Sequence, residues 1–70
     1  MKILNTSDLG SAVRSRRKSL NYTQAFLSDF TGLSVSFISD LENGKPTVEF
    51  EKVLKIINIL GMDLCIENRG

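Results

Sequence analysis

Between positions 23 and 45 the chain places Thr23, Gln24, Ser34, Ser36, Ser39, Asn43 and Lys45, a series of hydroxyl, amide and ammonium groups. Their chemistry is hydrogen bonding to an anion or a polar surface, not turnover. The chain has no histidine to exchange a proton near neutral pH and no phosphate loop of the GxxxxGKS/T kind, which argues against an enzyme. Its one cysteine, Cys65, cannot close an internal disulfide and has no histidine or second thiol with which to share a metal. The sequence therefore implies no metal and no cofactor, and reads Cys65 as a small apolar side chain on a buried face.

The formal net charge is only +1, from nine basic and eight acidic residues, so position matters more than balance. Arg14, Arg16, Arg17 and Lys18 form one basic run, while Asp29, Glu49, Glu51, Asp63 and Glu67 lie elsewhere. Such a run marks either phosphate contacts, for which Arg14 is the candidate, or a solvated helix face.

The elements that must position these groups are legible from caps and periodicity. Asn5 with Asp8 three residues on makes a helix start, and Leu9, Val13 and Leu20 recur at helical spacing over about 6–19. Thr23 caps a short second helix, Gln24 to Phe30, with Leu27 and Phe30 on one face. Gly32 suits a left-handed helix end, and Ser34 can cap a third helix, Val35 to Asn43, with Ile38 and Leu41 inward. Asn43-Gly44 and Lys45-Pro46 end it. Thr47 then caps a fourth, about Val48 to Leu60, whose apolar stripe is Phe50, Val53, Leu54, Ile57 and Leu60.

After Gly61 the period changes to two. Met62, Leu64 and Ile66 alternate with Asp63, Cys65 and Glu67, the pattern of a strand. An isolated strand is unstable, so 62–67 needs the apolar start Lys2-Ile3-Leu4 or a second molecule. A chain of 70 residues hides only about 60 % of its unfolded surface, and a shared core would supplement it. The expectation is one domain over 1–70, with 62–67 a dimerisation strand carrying Met62, Leu64 and Ile66; pairing with the N-terminus, or dimerisation through helix four alone, are the alternatives. No stretch approaches the roughly 20 apolar residues of a membrane span, and the N-terminus has no signal-like apolar run, so a cytoplasmic location is expected.

Two short helices joined by a glycine-containing turn form a helix-turn-helix. A third helix with small polar residues at its N-terminal end can enter a major groove, where bulky side chains would hold the backbone off the bases. Val35, Ser36, Ser39 and Phe37 are the candidate base readers: Val35 and Phe37 suit thymine methyl groups, the serines hydrogen bonds. Phe37 has packing on helix two as its alternative. Asp40 is either a cytosine reader or a solvated residue. Phosphates should meet the start of helix two, through its free amides, Thr23 and Gln24, with Ser34 a cap that also donates to phosphate.

Thr23-Gln24, Leu27, Gly32-Leu33-Ser34, Ile38-Ser39 and Leu41-Glu42-Asn43-Gly44-Lys45 resemble the lambda-repressor and Cro class of helix-turn-helix proteins, over about residues 8–61. Phe37 to Thr47, followed by Leu60-Gly61-Met62-Asp63-Leu64, resembles the HipB-type antitoxins encoded beside HipA-type kinase toxins. The resemblance implies an all-α domain of four helices with a short C-terminal β-strand. It also implies a phosphate clamp at Asn43 and Lys45 and a partly buried ion pair between Arg17 and Glu42. Two positions depart from the pattern: Ser28 stands where alanine is usual, and Val35 where glutamine is frequent, removing a side chain able to read adenine.

The implied partners are double-stranded operator DNA, a second copy of the chain and a HipA-type kinase toxin. The implied function is an autoregulating antitoxin. A repressor without a toxin, and a helical protein-interaction module that binds no DNA, are the rival readings.

Overall fold

The computed structural model describes residues 1–70 and contains four helices, α1 (Thr6–Ser19), α2 (Gln24–Thr31), α3 (Val35–Glu42) and α4 (Phe50–Ile59). The first three begin where a short polar side chain satisfies an amide that has no helical partner. Asn5 Oδ1 accepts from the Asp8 amide at 2.8 Å, Thr23 Oγ1 from the Phe26 amide at 3.0 Å and Ser34 Oγ from the Phe37 amide at 3.0 Å. Asp8 returns a bond, but accepts from the Leu4 amide at 3.1 Å, one residue before the cap.

The fourth helix starts later than the sequence predicts. Thr47 is not its cap. Pro46 and Thr47 form a turn, and Val48 packs against the core, so the chain stays extended through Glu49 before the helix begins. Glu49 occupies the cap position without a side-chain bond.

One core draws on every helix: Val13 from α1, Leu27 from α2, Ile38 and Leu41 from α3, Val53, Ile56 and Ile57 from α4, and Leu60 just beyond. Two aromatic residues expected inside are outside, Phe30 at 67 % exposure and Phe50 at 56 %. On α2 the buried face runs from Leu27 to Thr31, four residues on, and the Thr31 hydroxyl is satisfied by donating to the Leu27 carbonyl at 2.7 Å. On α4, Ile56 takes the buried place.

α1 packs on the end of α3 through a point that admits no side chain. A Cβ on Gly10 would run into the Leu41 carbonyl oxygen and lie 2.6 Å from that of Glu42. Nearby, Thr6 Oγ1 donates to the Gly44 carbonyl at 2.7 Å, and Gly44 turns at φ +80 with its backbone hard against Ser7. The start of α1 and the end of α3 are thus locked together.

Residues 62–67 do not form a strand. A strand needs a second edge for its hydrogen bonds, and Lys2-Ile3-Leu4, the one candidate in the chain, is also irregular and makes no backbone pairing with 62–67. Met62 packs on the core, but Leu64 is 41 % and Ile66 93 % exposed, and Cys65 is exposed where the sequence suggests burial. No helix is long and apolar enough to cross a membrane.

Candidate nucleic-acid interface

α2 and α3 are joined by Gly32-Leu33-Ser34. Gly32 ends α2 in the left-handed conformation, φ +76, which a side chain would strain. Both backbone polar groups of Leu33 are taken by hydroxyls from α2: Ser28 Oγ donates to its carbonyl at 2.6 Å, and its amide donates to Thr31 Oγ1 at 3.2 Å. The serine that departs from the usual alanine is therefore a tie across the turn, fixing the angle at which α3 leaves.

From that turn α3 presents its N-terminal end outward. Val35 is 43 % exposed and Ser36 is exposed, while Ser34 caps the helix. Phe37 is half-buried and packs against the core, with Lys52 Nζ of α4 5.8 Å from its ring centroid. Ser39 is half-buried, one turn further along, and its Oγ accepts from the Asn43 side-chain Nδ2 at 3.4 Å. At the start of α2 the Thr23 hydroxyl serves Phe26, leaving the Gln24 and Ala25 amides without a partner in the chain. Those free N–H groups and the positive end of the helix dipole can receive an anion.

The basic run of α1 divides into two uses. Arg16 Nε donates to the Leu60 carbonyl at 2.8 Å, holding the end of α4. Arg17 makes a forked pair with Glu42, Nε to Oε2 at 2.7 Å and Nη2 to Oε1 at 2.9 Å, and its Nη1 donates to the Tyr22 carbonyl at 2.8 Å. The hydrogen bonding of its guanidinium to Glu42 raises the Arg17 pKa above its ordinary value; burial opposes this and the carboxylate charge adds to it. Arg14 is exposed and engaged by no other side chain.

Two ties lie outside what the sequence suggests. Gln24, a candidate phosphate donor, gives one amide N–H to Glu42 Oε1 at 3.2 Å, which leaves its second N–H free. Asp40, read as solvated or as a base reader, pairs with Lys45 at 3.3 Å, both side chains being about half exposed. Neither has a local sequence signal beyond charge, since the partners are 18 and 5 residues apart. Gly10 did have one: glycine inside a helix is unfavourable by about 1 kcal/mol relative to alanine, so its presence marks close approach. An aromatic ladder also runs from Tyr22, ahead of α2, onto that helix, with Tyr22 and Phe26 ring centroids 4.7 Å apart and Phe26 and Phe30 6.0 Å apart.

The arrangement has counterparts among known proteins. The family model described as Helix-turn-helix matches residues 13–66. The uncharacterised HTH-type transcriptional regulator y4mF of Sinorhizobium fredii is 40 % identical over 65 residues, covering 93 % of this chain and 86 % of that protein. Among solved structures, the HipB chain of a HipB-O4 20mer complex superposes with a TM-score of 0.89 at 23 % identity, over 100 % of this chain and 99 % of that one. A chain of a HipA-HipB-O2-O3 complex superposes with a TM-score of 0.90 at 23 % identity, over 100 % and 99 %. At that identity the structural likeness establishes the four-helix fold, while the sequence match extends through α2, the turn and α3. The chain belongs to the helix-turn-helix family of transcriptional regulators.

Proposed function

We propose that the chain is a dimeric repressor that reads an operator with α3 in the major groove, and that it is the antitoxin of a HipA-type kinase toxin, regulating its own operon in the cytoplasm. The observation that carries the DNA reading is the pairing of an outward, small-residue end of α3 with the free amides at the start of α2. In this reading Val35, Ser36 and Ser39 meet base edges. Phe37 reaches a thymine methyl only with the part of its ring the core leaves open. Thr23, Gln24, Ser34, Arg14, Asn43 and Lys45 meet phosphates. The toxin partner is supported by the resemblance of Phe37 to Thr47 to HipB-type antitoxins and by a fold shared with a chain whose complex includes HipA.

Dimerisation supplies what the isolated chain lacks. Residues 62–67 of two copies, paired antiparallel about a two-fold axis, satisfy each other's hydrogen bonds at once. Leu64 and Ile66, exposed in one chain, then gain about 1.5–3 kcal/mol each on burial before the entropic loss of association is counted. A two-fold dimer requires half-site centres about one helical turn, or a multiple of it, apart.

Footprinting on the DNA upstream of the gene tests the reading. The expected result is a pseudo-palindromic site, bound with an affinity that falls steeply as salt rises. Protection of one asymmetric half-site by a monomer contradicts the dimer, and no retention on DNA at low salt contradicts the repressor in favour of a protein-interaction module. The product of the neighbouring reading frame decides the toxin: without a kinase-like product that binds this chain, the repressor acts alone. A chain ending at Gly61 that folds, stays dimeric and binds the operator normally removes 62–67 from the interface.

A further inference from the structure

Between Ser19 and Glu51 the chain has a single basic residue, Lys45, set against Asp29, Asp40, Glu42 and Glu49. Glu42 is neutralised by Arg17, and Lys45 is itself engaged by Asp40, so the two-helix unit proposed to meet DNA presents no unpaired cation of its own. The contact is built in by the backbone as well as by charge. The Lys45 amide donates to the Asp40 carbonyl at 3.0 Å, returning the chain after the α3 turn so that Nζ comes within 3.3 Å of Oδ2.

We propose that Asp40 is a specificity-determining residue that acts through Lys45: its carboxylate occupies the ammonium group in the free protein and thereby lowers affinity for DNA of the wrong sequence. This rests on the DNA-binding reading of α2 and α3. A phosphate competes with Asp40 for the Lys45 ammonium group, and where it takes Asp40's place the released carboxylate faces the groove. There it is repelled by the acceptor edges of guanine and by the thymine carbonyl, and is satisfied by an exocyclic amine such as that of cytosine. On a site offering that donor both groups are partnered, Lys45 by phosphate and Asp40 by the base. Elsewhere one of them is left without a partner, and the internal pair persists.

The test uses the full chain and a random-sequence duplex of about 20 base pairs, titrated at salt concentrations from about 50 to 200 mM, where phosphate contacts dominate binding. Asp40→Asn keeps the size of the side chain and removes its charge. The expected result is about 2- to 5-fold tighter binding at low salt, the range an exposed ion pair commands, with a salt slope steeper by up to about 0.9 as Lys45 gains a full phosphate contact. In a Lys45→Ala background the same Asp40→Asn change should produce little gain. Equal affinity for wild type and Asp40→Asn overturns the proposal, and so does an equal gain with and without Lys45, which would mean that Asp40 merely repels DNA. Failure of wild type and Asp40→Asn alike to bind at the lowest salt overturns the DNA reading itself.

Discussion

The two ends of α3 are built on opposite plans. At its C-terminal end Leu41 is 1 % exposed, Glu42 accepts from both Arg17 and Gln24, and the last carbonyls close directly over Gly10. At its N-terminal end Val35 and Ser36 stand outward, and only the Ser34 cap and the hydroxyl ties on Leu33 hold the backbone. One end fixes where the helix points. The other is left exposed, so the residues that hold this eight-residue helix in place are not the ones it presents to solvent.

The largest effect should come from breaking the fixed end electrostatically. Arg17→Ala leaves Glu42, 3 % exposed in its side chain, charged and without its forked partner. Losing one member of a buried pair destabilises by about 3–5 kcal/mol. Arg14→Ala, which disturbs no ion pair, should leave the denaturation midpoint nearly unchanged; equal losses for the two would show that the comparison between ends is wrong. The raised Arg17 pKa gives a stabilisation that is present below the unfolded value and lost only as pH rises through the folded one. Both lie in the strongly alkaline range, so Arg17 should impose no pH dependence on melting near neutrality.

Next comes steric failure at the same end. Gly10→Ala should lower stability by about 1–3 kcal/mol, because the backbone of α3 cannot retreat from the added methyl. This outweighs the roughly 1 kcal/mol that alanine ordinarily gains in a helix. A denaturant titration showing a more stable Gly10→Ala protein would mean that α1 and α3 can slide apart.

The free end should respond in the opposite way. Ser36→Ala is expected to leave melting unaltered while shifting discrimination among operator variants by about 1–3 kcal/mol, a measurement that selection from a randomised duplex makes directly. Smallest is a gain: Glu49→Asp at the start of α4 supplies a cap where none exists and should add about 0.5–1 kcal/mol, read as a higher midpoint in urea.

Local chemistry made much of this readable in advance. The Asn5, Thr23 and Ser34 caps and the left-handed Gly32 depend on neighbours within a few residues, which a sequence displays. Features that depend on distant groups were less accessible. Thr47 was a plausible cap until Val48 was drawn to the core, and Phe30 and Phe50 sit at helical spacings that only the packing angle could reject in favour of Thr31 and Ile56. In a helix of eight residues, spacings of three and four suit the same face equally well. The alternation over Met62 to Glu67 is a real pattern, but its hydrogen bonds need an edge that one chain does not offer. In the sequence the Gln24 and Asp40 side chains read as DNA-facing or solvated, because their internal partners come within reach only once the helices are in place.

The Arg17 guanidinium uses each side of its fork, with Nε and Nη2 on Glu42 and Nη1 on the Tyr22 carbonyl. A lysine is a point charge on a flexible stem and cannot reproduce three bonds in one plane. Position 17 is thus tied to arginine for as long as position 42 remains glutamate. Val35 and Ser36 are under no such restraint. On the proposed DNA reading, substitutions at the tip of α3 therefore change what is contacted while the scaffold that aims it stays unchanged.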